Sequence, residues 1–514
     1  MSALLLVLVW GSRASAQVSC ANPDDLCTGD PCTMTNVEVQ SPCVVDFGAR
    51  TLVIAGILRV PDGGTLSLTA ASIVQQGPID GRHVGNGVGS GAAITLITTV
   101  GDAELRGEID VAGTVATGSI NVQAAGDILV KDNLIAKPAG SNMTAIGGTI
   151  ALDAAGTATT DQTAVLDTQG ANQANSGGVI FVAGDLGVTI GGRTRAEGNP
   201  GGSIIVASNA GSVTLAGDLR VLSEGGPGGL VLVTGETGVA VNDNIRAASE
   251  LTVGGTVTLT SPSGDVTIND GVSVAGTFGG SISINAPLGS VTTLAKLKAS
   301  ATTEIAGTVG IGAATITLRA NIDARSRSGS GGQVTLAATT VVDLVGGDAD
   351  ARGKLDGGAI ALLGGGASGD VTVRRSSKLY ASGSQGNGGS LVASAPAGAV
   401  TIEGPVALSG SGMGGQAQVD GVAVTVNRAH FDADGRTLGG GELRFNQSGA
   451  GLLLLEGTFE ARDNGAIEAL APAGNLTARG KFRVRPAGCV GFSAGGTLDT
   501  NAAAADVALT PTCP

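Results

Sequence analysis

The stretch Gly254-Gly255-Thr256-Val257-Thr258-Leu259-Thr260-Ser261-Pro262-Ser263-Gly264-Asp265-Val266-Thr267-Ile268-Asn269-Asp270-Gly271-Val272-Ser273-Val274-Ala275-Gly276 decides the fold. It opens on a glycine pair and carries three short alternating runs, Val257/Leu259, Val266/Ile268 and Val272/Val274. These are separated by Ser263-Gly264-Asp265 and Asn269-Asp270-Gly271. A period of two sends the aliphatic side chains to one face and Thr, Ser and Asp to the other. Glycine and Asn/Asp supply the corners. A hairpin array would not need three strands before its sequence repeats, so the unit reads as one three-sided coil of a parallel β-helix.

Outward from this unit, Gly-Gly-x-Φ-x-Φ (Φ aliphatic) recurs. Copies include Gly147-Gly148-Thr149-Ile150-Ala151-Leu152, Gly201-Gly202-Ser203-Ile204-Ile205-Val206 and Gly357-Gly358-Ala359-Ile360-Ala361-Leu362. Starts at 91, 117, 147, 177, 201, 228, 254, 279, 306, 331, 357, 388, 414, 440 and 464 are spaced by 24 to 31 residues. The expected fold is therefore all-β, a single-stranded parallel β-helix with right-handed coils, 15 or more in number and about 26 residues each. Stacked at the inter-strand distance, fifteen coils make a rod of roughly 70 Å. Composition agrees, with 87 glycines and 42% hydrophobic residues but only 2% aromatics, so aliphatic side chains and alanine must fill the core.

The chain divides by pattern. Residues 1–16 read as a signal peptide, with the apolar run Ala3 to Trp10 before the small-x-small site Ala14-Ser15-Ala16. Residues 17–45 form a cysteine-rich N-terminal cap, 46–488 the β-helix and 489–514 a C-terminal cap. The six cysteines lie only in the caps, which suits disulfide-stapled ends in an oxidising compartment. Cys20, Cys27, Cys32 and Cys43 are expected to pair among themselves, and Cys489 with Cys513. The expected location is extracellular or at the cell surface, with the periplasm as the alternative. No apolar run after the signal peptide is long enough to span a bilayer. A net charge of −14 speaks against a nucleic-acid partner, since phosphate binding needs a basic surface, and none is expected.

The unit Gly118-Ser119-Ile120-Asn121-Val122-Gln123-Ala124-Ala125-Gly126-Asp127-Ile128 resembles the repeats of filamentous-haemagglutinin-like secreted adhesins of Gram-negative bacteria. The resemblance covers roughly residues 91 to 488 and implies a secreted β-helix. The N-terminal two-partner secretion module of that family has no counterpart in this sequence.

Aligning the third run of each coil gives an outward column: Asp110, Ile135, Asp167, Arg195, Arg220, Arg246, Ser273, Lys298, Asp323, Asp350, Tyr380, Ala407, Asp432, Glu460 and Arg483. Asp432, Asp434 and Glu460 form an acidic cluster near Arg462 and His430. They are the candidate catalytic residues of a polysaccharide lyase or hydrolase, since glycosidases work with a pair of carboxyls. Strand spacing alone brings any such carboxylates together, so a solvated charged face is the competing reading. Arg195, Arg220, Arg246 and Lys298 form a basic ladder that suits a polyanion, with Glu197 and Glu224 as expected neutralising partners. The glycine pairs lack the periodic aspartate of calcium-binding nonapeptides, and neither a cofactor nor a metal is expected. Uniform coil lengths provide no long loops to wall a cleft. The favoured expectation is a non-enzymatic surface protein, adhesin-like or a structural spacer, with glycans or proteins as partners. The alternatives are a polysaccharide-degrading enzyme and a periplasmic scaffold.

Overall fold

In the computed structural model, which describes residues 17–83, 88–139, 145–171, 175–367, 369–484, 488–500 and 509–510, the chain winds into a parallel β-solenoid of about 17 turns of about 26 residues. At about 4.8 Å per turn this is a rod of roughly 80 Å. The expected signal peptide lies outside the described residues.

In the deciding unit the three runs are strands Thr256–Thr260, Asp265–Ile268 and Val272–Ser273. Each pairs in parallel with its counterpart one coil on, as in Thr256↔Ser281, Val266↔Val291 and Val272↔Leu297. Alternation has the predicted effect: Val257, Leu259, Val266, Ile268, Val272 and Val274 are buried in one continuous core. Further along, the first two strands fuse into single strands such as Ser281–Thr293 and Ser390–Ile402, and Gln416–Asp432 runs through all three sides.

The glycine pair does more than turn a corner. After the third strand the chain leaves the coil and returns, and the second glycine closes the neck of this small spur on the same coil's own backbone. Gly332 N–H donates to Ala324 O (2.9 Å), Gly358 to Ala351 O (2.8 Å) and Gly389 to Ala381 O (2.6 Å). A Cβ on Gly358 would lie 2.0 Å from Gly332 O, and one on Gly357 1.9 Å from Ala381 O. Only glycine fits where backbone meets backbone this closely. The spurs stack coil on coil through bridges such as Gly353↔Gly383↔Gly410↔Gly435 and form a ridge along the rod.

The stapled N-terminal segment is not set apart from the solenoid. Its strands Cys32–Met34, Val37–Glu38 and Cys43–Asp46 pair in parallel with residues 52–54, 58–59 and 66–69, so it carries the first turn. Its four cysteines pair among themselves, Cys20–Cys43 and Cys27–Cys32. At the other end Cys489–Ala494 pairs with Ala466–Ala471 and continues the stack. Cys489 is not free, while Cys513, its expected partner, lies outside the described residues. The core of these last coils is aromatic. Phe431, Phe459 and Phe482 stack at centroid distances of 5.7 and 4.9 Å, with Phe445 and Phe492 edge-on.

Candidate functional site

Period-two strands in parallel register place equivalent residues one above another, and the third-strand column is in register throughout. Asp167 pairs with Arg195, Arg195 with Arg220, Arg220 with Arg246, and Asp432 with Glu460, which in turn meets Arg483. The acids of this column, however, are buried, apart from the half-buried Asp432. Asp167 is 1% exposed, Asp323 3% and Glu460 6%. The start of each spur folds back over the strand, so the residue two positions on, or one coil away, covers the carboxylate. Asp323 lies 2.9 Å from Arg325 and 2.6 Å from Lys296; Asp350 lies 2.7 Å from Arg352 and 3.4 Å from Arg325. Burial pushes the Asp323 carboxyl up, but these two cations outweigh it and hold it below its ordinary value.

Two members of the basic ladder are ion-paired. Arg195 pairs with Asp167 (3.0 Å) and Arg220 with Asp218, while Glu197 accepts from Gln169. Arg246 and Lys298 make no ion pair among the described residues. The four are thus a ladder by register, in which the charges of Arg195 and Arg220 are paired and those of Arg246 and Lys298 are not among the described residues.

The structure brings Asp432, Asp434 and Glu460 together. The strand Gln416–Asp432 bulges at Arg428, which takes a left-handed φ of 57° beside the register shift between Asn427 and Ala429. Phe431 and Phe459, locked in the aromatic stack, fix the neighbouring Asp432 and Glu460 from below. Arg483 Nη1 donates to Glu460 (2.6 Å), as does Arg462 Nη2 (3.1 Å), and His430 Nε2 is 3.9 Å away. Arg462 Nε donates to Asp434 (2.6 Å). Among the described residues Asp432 has no such cation on it. Its carboxylate accepts from the Asp434 N–H (3.1 Å), and burial raises its pKa. Guanidinium groups therefore occupy two of the three carboxylates where a cation would have to sit. Among the described residues no group of three His, Cys, Asp or Glu is placed to hold a metal.

The expectation of an unwalled surface is overturned. The stacked spurs themselves wall a groove of about 1080 Å³ that runs from residue 382 to 483. Its lining carries Ser382, Ser384, Ser409 and Ser411, and its charged end holds Asp432, Asp434 and Asp463 with Arg436, Arg462 and Arg483. The serines went unread, although Ser382-Gly383-Ser384 and Ser409-Gly410-Ser411 sit at one coil's spacing directly after the third strand and are a legible signal. Nearer the middle of the rod the same side forms a smaller pocket of about 460 Å³, with Leu222, Ala248 and Ala275 on successive coils and Glu197, Glu224 and Glu250 around them. No helix among the described residues is long and apolar enough to cross a membrane. No family model, curated protein or solved structure matches this chain.

Proposed function

We propose that the protein is an exported, adhesin-like β-helix that holds acidic glycans along the serine-lined groove without cleaving them. The observation that carries this reading is the groove's chemistry: hydroxyls repeating at coil spacing lead to Arg436, which makes no ion pair among the described residues, beside the ion-paired Arg462 and Arg483. A linear polymer of hydroxylated, carboxylate-bearing units matches both features, with hydroxyls against Ser and a carboxylate on Arg436. Asp434 and Glu460 are already tied to arginines, which suits a binding surface better than a nucleophile. The front disulfides support an oxidising compartment, and cell fractionation tests placement at the surface.

One observation favours hydrolysis as a second reading. Asp432 has a raised pKa and lies one coil from the ion-paired Glu460, the pattern of a protonated acid beside a carboxylate. Incubating the full chain with acidic and neutral polysaccharides separates the two. Retention of oligogalacturonate without new chain ends, weakened by Arg436→Ser, supports binding alone. New chain ends that vanish in Asp432→Asn and Glu460→Gln overturn it in favour of an enzyme, and no retention of any acidic glycan removes the proposal.

A further inference from the structure

On the other side of the spur ridge lies a second groove, paved by the glycine pairs. It follows the corner between the spurs and the first strands from Val253 to Ala466, in two stretches of about 410 and 960 Å³ that share Ile305, Ala306 and Thr308. One wall is a single register column, Thr256, Ser281, Thr308, Gln333, Ala359, Ser390, Gln416, Glu442 and Ala466, linked strand to strand. Eight coil steps make it roughly 40 Å long. The facing wall presents Val253, Phe278 and Ile305 on successive coils and Met413 four coils on, each 42–58% exposed, with Asn387 between and Asn464 beyond them. Glu442 is the sole charged side chain among the lining residues.

These features select an occupant. A polyanion finds no cation in the lining, and its one acid, Glu442, is already paired with Arg444. A peptide adding as a strand needs free backbone groups, yet the floor offers few. The glycine N–H groups are taken, Gly357 by Asn387 O and Gly358 by Ala351 O, and the Gly358 carbonyl accepts from Ser390 N–H. An acyl chain would strand the hydroxyl and amide wall without partners. A long, unbranched, uncharged chain with hydroxyls on its edges and an apolar ring face meets both walls. We infer that the glycine-paved groove binds a neutral linear polysaccharide lying parallel to the solenoid axis. This site is separate from the serine-lined groove and does not depend on its ligand.

The test uses the full mature chain and titrates cellohexaose, xylohexaose and mannohexaose by calorimetry. The expected result is saturable binding of at least one of them. Ile305→Asp with Met413→Asp should weaken it at least tenfold, Gln333→Ala with Gln416→Ala should weaken it to a smaller degree, and Arg436→Ser should leave it unchanged. All substituted side chains are on the surface, and unchanged thermal unfolding of each variant establishes that the fold is intact. Absence of binding to all three probes overturns the inference, as does binding that is indifferent to the wall substitutions. Sedimentation of the wild type as a dimer that Ile305→Asp dissociates would also overturn it, because the groove would then be an interface between two copies.

Discussion

Replacing Gly358 with alanine tests the account of the glycine pair most directly. The new Cβ would meet Gly332 O at 2.0 Å and lie 2.8 Å from Ala351 O, and both are backbone atoms that cannot swing aside. Relief requires the neck to open. That endangers Gly358 N–H to Ala351 O (2.8 Å) and, on either side, Gly357 to Asn387 O and Ala359 to Gly332 O, both 2.9 Å. At about 0.5–1.5 kcal/mol net for each backbone hydrogen bond, the loss is about 1.5–4.5 kcal/mol. The matched control is Gly310→Ala, where a Cβ meets nothing within 4 Å. Removing a glycine from a strand interior there should stabilise by about 0.5–1 kcal/mol. A solenoid couples only neighbouring coils, so the damage should be local. Denaturant unfolding followed with native-state hydrogen exchange should show protection lost around residues 332–389 and kept near 120–260. Equal midpoints for Gly358→Ala and wild type, or an equal loss in Gly310→Ala, would refute the reasoning.

Phe459→Ala removes the centre of the aromatic stack and should cost about 3–5 kcal/mol, read as early thermal unfolding of the C-terminal coils, whereas the outward Phe181→Ala should cost about 1 kcal/mol or less. Asp323 and Asp432, shifted in opposite directions, should respond to pH with opposite signs. The depressed Asp323 contributes stability that is present above its unfolded pKa of about 3.9 and is lost as pH falls toward the folded value, so Asp323→Asn is destabilising at pH 7 and converges on wild type in acid. The raised Asp432 is unfavourable while charged and is relieved as pH falls through its folded value, so Asp432→Asn should stabilise at pH 7, measured by the same denaturation series. Reduction of Cys20–Cys43, which spans 23 residues, should remove about 3 kcal/mol from the first turn and direct limited proteolysis to residues 17–60 before any later coil is cut.

The coil, its three strands, its period and the inward face of each strand were decided by the sequence itself. All four follow from local alternation and turn residues, and repetition confirms each copy by the next. Register across coils followed too, because a parallel stack of equal units has one alignment that buries every aliphatic residue. That is why Asp432 could be placed beside Glu460, and Arg195, Arg220, Arg246 and Lys298 in one column, without coordinates. The tertiary structure decided everything that depends on where the chain goes after the third strand. A glycine pair is compatible with many paths, and only the contact of Gly358 with the coil below and of Gly357 with the coil above selects the closed spur. From the spurs come the burial of Asp167, Asp323 and Glu460, the placing of Arg325 on Asp323 and of Arg462 on Glu460, and both grooves. Uniform coil length suggested a surface without walls, but walls here are built by stacking short loops, and stacking is a relation between coils that no single repeat contains.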